Sequence, residues 1–200
     1  MTATIRPYGP RDLDALYDVC VRTADSGDDL TGAIEDRSLP GHLFAAPYGV
    51  LEPKSAFVVD DHEGVGGYVV GTSDTAKFET RLEAEWFPAM RARYPDGSGA
   101  GDQDKLFVAL IHHPVRQDPA IVADFPAHLH IDLLPRLQGQ GLGRRLIEMF
   151  CVEMHRRGAA GVHLGVNPRN DRALAFYSHV GFDELAKNSV TVLLGRRFRQ

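Results

Sequence analysis

Two cysteines, a single tryptophan and no long apolar stretch mark what this 200-residue chain lacks. Cys20 and Cys151 each sit among apolar residues at helical spacing. There is thus no disulfide framework to staple the fold, and the usage fits a reducing cytoplasm. An apolar setting is also the ordinary place for a small hydrophobic thiol, which argues against a cysteine nucleophile. No apolar run approaches the roughly 18 residues that span a bilayer. Residues 1–10 lack the basic-then-apolar order of an export signal. The expectation is a soluble cytoplasmic protein with no membrane partner. Basic runs are missing too: Arg144-Arg145, Arg156-Arg157 and Arg196-Arg197 are scattered pairs, and the formal net charge is -5. A nucleic-acid surface needs a basic stripe, so that class of partner is excluded.

What is present fits one α/β domain over residues 1–200, a length that buries roughly two-thirds of the unfolded surface. A short strand at Thr4–Tyr8 precedes a helix carrying Leu13, Leu16, Tyr17, Cys20 and Val21 on one face. Leu30–Leu51 reads as a short helix plus loop, broken by Pro40, Gly41, Pro47 and Gly49. Ser55–Asp60 and Val65–Thr72 form a hairpin. Residues 73–126 then read as a helical and loop insertion. It carries a helical stretch interrupted at Pro88, a turn-rich loop and a β-type run at Leu106–Ile111. His128–Leu134 is a central strand, 144–157 a helix, Gly161–Val166 a strand, Asp171–Val180 a helix and Ser189–Arg196 a last strand. The order gives a mixed sheet flanked by helices. The last strand, read as an edge, offers a surface for a homodimer.

The strand–glycine turn–helix unit at residues 128–157 carries the strongest chemical signal. Glycines at 139, 141 and 143 remove side chains where an anion would touch backbone N–H groups. The following helix begins with unpaired donors and the positive end of its dipole at that point. A Walker loop would end in Gly-Lys-Ser/Thr, whereas Gly143 is followed by Arg144-Arg145. A dinucleotide fingerprint needs Gly-x-Gly-x-x-Gly and an acidic residue about twenty positions on, and neither is present. The turn alone also fits a plain chain reversal.

Gln138-Gly139-Gln140-Gly141-Leu142-Gly143 resembles the Gln/Arg-x-x-Gly-x-Gly/Ala signature of the GNAT acetyltransferases. Asn170 through Ala173, Phe176, Tyr177, Gly181 and Phe182 are similar to that family's second block. In the region 80–95, Trp86-Phe87-Pro88 and Arg93-Tyr94-Pro95 resemble a narrower group, the acetyltransferase-like C-terminal domain of O-GlcNAcases and its stand-alone bacterial relatives. The resemblance implies the GNAT fold, a central twisted mixed sheet flanked by helices, with acetyl-CoA as cosubstrate and an amine acceptor, either small molecule or peptide. It implies pyrophosphate contacts from the backbone of Gly139, Gly141, Leu142, Gly143 and Arg144, with Gln138 and Gln140 in the same turn. Backbone groups of Leu133 and Leu134 would face the pantetheine and thioester. Asn170, followed by Ala173, would fasten the pantetheine arm, and Asn170 equally suits a helix cap. Tyr177 matches the family's general acid, and a phenol near pKa 10 is able to protonate a departing thiolate.

A general base is read from the residues themselves. Asp132 and His130 lie two apart on the central strand, so they share a face just before Leu133. Asp132 is the first candidate and His130 the second. His112-His113, His128 and His130 do not make a metal site, because adjacent strand histidines point apart and no further ligand completes a set. No Gly-x-Ser-x-Gly elbow is present for a serine nucleophile. The expected function is direct acetyl transfer to an amine. A non-catalytic CoA-binding or protein-interaction module remains the alternative that sequence leaves open.

Overall fold

The computed structural model describes residues 3–198. It contains strands β1 (Thr4–Pro7), β2 (Phe57–Asp61), β3 (Gly64–Thr72), β4 (Ala127–Leu133), β5 (Gly161–Val166), β6 (Asp183–Lys187) and β7 (Val192–Arg197). They form one sheet in the order β1-β2-β3-β4-β5-β7-β6. All neighbours are antiparallel except β4 and β5, which run parallel. The expected mixed sheet flanked by helices is therefore what the chain builds.

Helix α1 (Leu13–Val21) follows β1, and α2 (Leu39–Phe44) and α3 (Ala46–Leu51) lie between α1 and β2. Pro40 and Pro47 fall in the first turns of these two short helices, where a missing N–H does no harm. Between β3 and β4 run α4 (Thr75–Arg81), a π-type turn at Leu82–Trp86, α5 (Phe87–Arg93), α6 (Asp102–His112) and α7 (Pro119–Asp124). The break read at Pro88 is the start of α5, with the proline again in its first turn. Helix α8 (Leu142–Arg156) joins the turn to β5, and α9 (Asp171–His179) lies between β5 and β6.

Strand alternation sorts the core. Leu129, Val59, Val69 and Val162 pack on Leu146, Ile147, Phe150 and Met154 of α8. On the opposite face Val58, Tyr68 and Val70 meet Leu16, Val19 and Cys20 of α1 and Tyr48 of α3. Gly71 brings α8 close to the sheet: a Cβ there would overlap the His128 carbonyl oxygen and the Phe150 ring. Gly71→Ala should therefore cost about 1–3 kcal/mol through overpacking. A thermal melt should show the midpoint lowered by several degrees, and an unchanged midpoint would contradict this packing.

Three sequence expectations are corrected. Leu106–Ile111 lies in α6 and is not a strand. Its apolar residues look β-type as a run, but only Phe107, Val108 and Ile111 are buried, at helical spacing, while Leu106 is 55% exposed. His112 and His113 accordingly stand at a helix end, where His112 Nε2 lies 2.7 Å from the Tyr94 carbonyl oxygen. The end of the chain holds a hairpin, not a single strand, because the charged segment Asp183-Glu184-Leu185-Ala186-Lys187 forms β6. Charge on an edge strand is protective, and it also hides the strand's pattern. The C-terminal strand β7 is consequently no edge: both its sides are paired, with β5 and β6.

Candidate active site

The site begins where the sheet comes apart. Parallel pairing of β4 with β5 is limited to Ala127↔Val162 and His128↔His163. Past these residues the two strands diverge. On the other side β4 stays paired with β3 through Leu133, and Leu134 N–H donates to Gly66 O over 2.9 Å. Antiparallel strands alternate hydrogen-bonded and non-bonded pairs. The N–H and C=O groups of Ile131 and Leu133 therefore point toward the gap left by β5. Leu133 O there accepts from Gln138 Nε2 at 2.8 Å, and Gln138 Oε1 accepts from Arg172 at 3.1 Å. Leu134 N–H is taken by β3, so of positions 133 and 134 it is Leu133 whose N–H lies on the open edge.

The glycine turn sits at the mouth of this gap. Gly139 and Gly141 have φ of 72° and 73°, the left-handed region that favours glycine, and a Cβ on either would meet nothing within 4 Å. Gly143 has another reason to be glycine: a Cβ there would lie 3.3 Å from Phe176 Cζ and 3.4 Å from Leu133 Cδ1. It lets α8 approach α9, while the first two open the turn. Among the described residues no side chain caps α8. Among the described residues the amides from Gly139 to Arg144 make no hydrogen bond of ordinary geometry within the protein, and the first one made is Arg145 N–H to Gly141 O at 3.2 Å. Uncapped amides at the positive end of a 15-residue helix favour an anion. Arg144 and Arg145 stand exposed beside them. Gln140 turns away, donating to Arg136 O at 2.7 Å.

Asp132 is the most chemically loaded side chain nearby. The register puts it opposite Tyr68, whose hydroxyl donates to Asp132 Oδ2 over 2.5 Å. Burial raises the carboxyl to about 6, against the pull of the Tyr68 hydrogen bond and of the nearby Thr23 hydroxyl. Burial and the same carboxylate hold the Cys20 thiol far above its ordinary value, so it stays protonated and inert. Tyr177 packs edge-on to Phe176 and Phe182. Its hydroxyl has no protein partner among the described residues and is not sealed from solvent. Burial, then the charge of Asp132, push the phenol above its usual pKa, so at neutral pH it carries its proton. His130 shares the Asp132 face, and burial lowers it to about 4.

Asn170 is a helix cap: its Oδ1 accepts from Ala173 N–H at 2.9 Å, and its Nδ2 donates to Ser26 O at 2.5 Å. That second bond fastens the loop after α1 to the start of α9. No group of three or more His, Cys, Asp or Glu is placed to hold a metal among the described residues. Also among them, no helix is long and apolar enough to cross a membrane. Sequence reasoning missed Tyr68, Thr23 and the Ser26 loop. Tyr68 sits in a valine-rich strand and reads as core, and only the strand register shows that it faces Asp132.

The chain belongs to the acetyltransferase (GNAT) family, whose model matches residues 50–182. It is similar to SsHAT, whose crystal structure aligns with a TM-score of 0.90 at 44% identity over 98% of both chains. It is 26% identical over 200 residues to protein O-GlcNAcase of Rattus norvegicus, covering 96% of this chain but 22% of the relative. The chain thus spans about a fifth of that protein's length. The PaiA N-acetyltransferase of Thermoplasma acidophilum, crystallised in complex with coenzyme A, shares the fold with a TM-score of 0.60 at 12% identity, over 99% of this chain and 100% of that one.

Proposed function

We propose that this chain is an N-acetyltransferase that moves the acetyl group of acetyl-CoA directly to an amine. One observation carries the reading: the open glycine turn and uncapped α8 follow the splayed strand β4, which carries Asp132 close enough for its charge to act on the Tyr177 hydroxyl. The pyrophosphate would rest on the amides of Gly139 to Arg144. The arm beyond it would lie along the unpaired edge of β4, next to Ile131 and Leu133. PaiA, which shares this fold, was crystallised with coenzyme A, and this supports acetyl-CoA as the cosubstrate.

The amine nitrogen attacks the thioester carbon, the C–S bond breaks, and the acetyl group passes to nitrogen. Asp132, ionised above about pH 6, takes the proton that the amine sheds. Leu133 N–H is the donor placed for the carbonyl oxygen as negative charge grows on it. Tyr177 gives its proton to the departing thiolate. Much of the rate would come from holding both reactants in one cleft. Asn170 supports this indirectly, by capping α9 so that Tyr177 is held in place.

Incubation with acetyl-CoA and a panel of amines, followed by assay of free thiol, tests the proposal. Amine-dependent thiol release supports it. Binding without release would leave a CoA-binding module in its place. Tyr177→Phe removes one hydroxyl and no packing. Turnover should fall about 10- to 100-fold with acetyl-CoA affinity nearly unchanged. A variant with full turnover would remove Tyr177 from the mechanism.

A further inference from the structure

A chain of hydrogen bonds runs beneath the site and ends on His130. Thr75, fully buried at the start of α4, places its Oγ1 2.8 Å from the Pro126 carbonyl oxygen and 2.8 Å from His128 Nδ1. His128 Nε2 lies 2.8 Å from Tyr48 Oη, and the same oxygen lies 3.2 Å from His130 Nε2. Tyr48 is 4% exposed and stacks on Phe78 with ring centres 4.5 Å apart, so its hydroxyl has little freedom to leave this position.

The proton positions in this chain follow from its closed end. A carbonyl oxygen only accepts, so the single Thr75 hydroxyl proton goes to Pro126 O. Thr75 Oγ1 is then an acceptor, and His128 Nδ1 must carry the proton that meets it. His128 is neutral, since burial and the imidazoles of His130 and His163 both oppose a charge there. Its Nε2 is therefore bare and takes the Tyr48 hydroxyl proton. Tyr48 Oη is left with lone pairs, so His130 Nε2 is the donor to it. A neutral His130 protonated on Nε2 has a bare Nδ1. That nitrogen has no partner in the protein among the described residues and is not sealed from solvent. The fully reversed relay would also pair every ring nitrogen, but it would turn the Thr75 hydroxyl away from Pro126 O and set two oxygens lone pair to lone pair at 2.8 Å.

We propose that Thr75, His128 and Tyr48 are positioning residues that lock His130 as its Nε2–H tautomer and so fix Nδ1 as an obligate hydrogen-bond acceptor on the Asp132 face of the cleft. The consequence for the acceptor rests on the acetyltransferase reading. Asp132 and His130 then present acceptors and no donor. A primary amine or ammonium group, with two or three N–H bonds, satisfies both. A hydroxyl or thiol, with one proton, leaves one of them unpaired, which is costly in a desolvated site. The chain thereby favours nitrogen over oxygen acceptors.

The protein labelled with ¹⁵N-histidine reports the tautomers directly through ring proton–nitrogen correlations, with His130→Gln identifying the His130 signals. The expected pattern is His130 protonated on Nε2 and His128 on Nδ1. His130 protonated on Nδ1 in the wild-type protein would overturn the proposal without any variant having to fold. Thr75→Val keeps the shape and removes the anchor. His128 should then redistribute toward Nε2–H and His130 toward Nδ1–H, three hydrogen bonds from the change. With a primary alkylamine as acceptor, KM for the amine should rise about 10-fold while KM for acetyl-CoA stays put. A Thr75→Val protein whose His130 signals are unmoved would also overturn it. A locked tautomer in a protein that transfers no acetyl group would instead sink the acetyltransferase reading alone.

Discussion

Replacing Asp132 with asparagine is expected to lower acetyl transfer by about 10²- to 10⁴-fold, the usual range for loss of a general base. The same change should make the protein more stable at pH 8. Both effects come from one cause. Burial raises the carboxyl to about 6, whereas in the unfolded chain it ionises near the ordinary aspartate value. A carboxyl with a raised folded pKa contributes stability fully below the unfolded value and loses it as pH rises through the folded one. Ionised Asp132 therefore costs folding on the order of 2–3 kcal/mol above pH 6. Asparagine keeps an oxygen for the Tyr68 hydroxyl and never ionises. Thermal melts at pH 4 and pH 8 should show a gain for the variant only at the higher pH. For the wild-type protein, kcat/KM should climb through about pH 6 and level off above it. A variant that transfers acetyl at the normal rate takes Asp132 out of the proton path. A variant no more stable at pH 8 refutes the buried charge.

Gly141→Asp should weaken acetyl-CoA binding by more than about 100-fold while leaving the fold intact. Gly141 has φ of 73° with open space above it, so an added side chain meets no protein atom. Left-handed backbone costs an L-residue roughly 1–2 kcal/mol, and aspartate is among the residues that tolerate it best. The new carboxylate would occupy the space over the uncapped amides of α8 and repel a diphosphate. Gly141→Asn separates crowding from charge, because it has nearly the same shape without the anion. Calorimetry should rank the wild type above Gly141→Asn and that above Gly141→Asp. Normal affinity in the aspartate variant would place the phosphates elsewhere.

These two positions also show where sequence was informative. The turn at 138–143 could be read because strand, glycines and helix are contiguous, and chemistry confined to a dozen neighbouring residues needs no tertiary knowledge. Even so, three glycines of one appearance divide into two kinds: positions 139 and 141 open the turn, while Gly143 makes room for Phe176. The surroundings of Asp132 were not legible, since Tyr68 and Thr23 reach it from 64 and 109 positions away only after the strands pair and α1 docks. The run at 106–111 misled because apolar, β-branched composition outweighed the spacing of its buried residues. Strand β6 was invisible for the opposite reason, a charged segment that pairs along an edge.

The brevity of the β4–β5 ladder has a mechanical consequence. Within the sheet only two residue pairs tie a four-stranded antiparallel half to a three-stranded one, helped by the packing of α8 and by bonds such as Asn170 to Ser26 and Arg172 to Gln138. A substrate arm lying in the wedge would act as a missing strand, supplying polar groups to an edge that the polypeptide leaves bare. The protein would then be most nearly a single continuous sheet when loaded. After the acetyl group has left and the arm withdraws, the edge of β4 beyond His128 would be bare again.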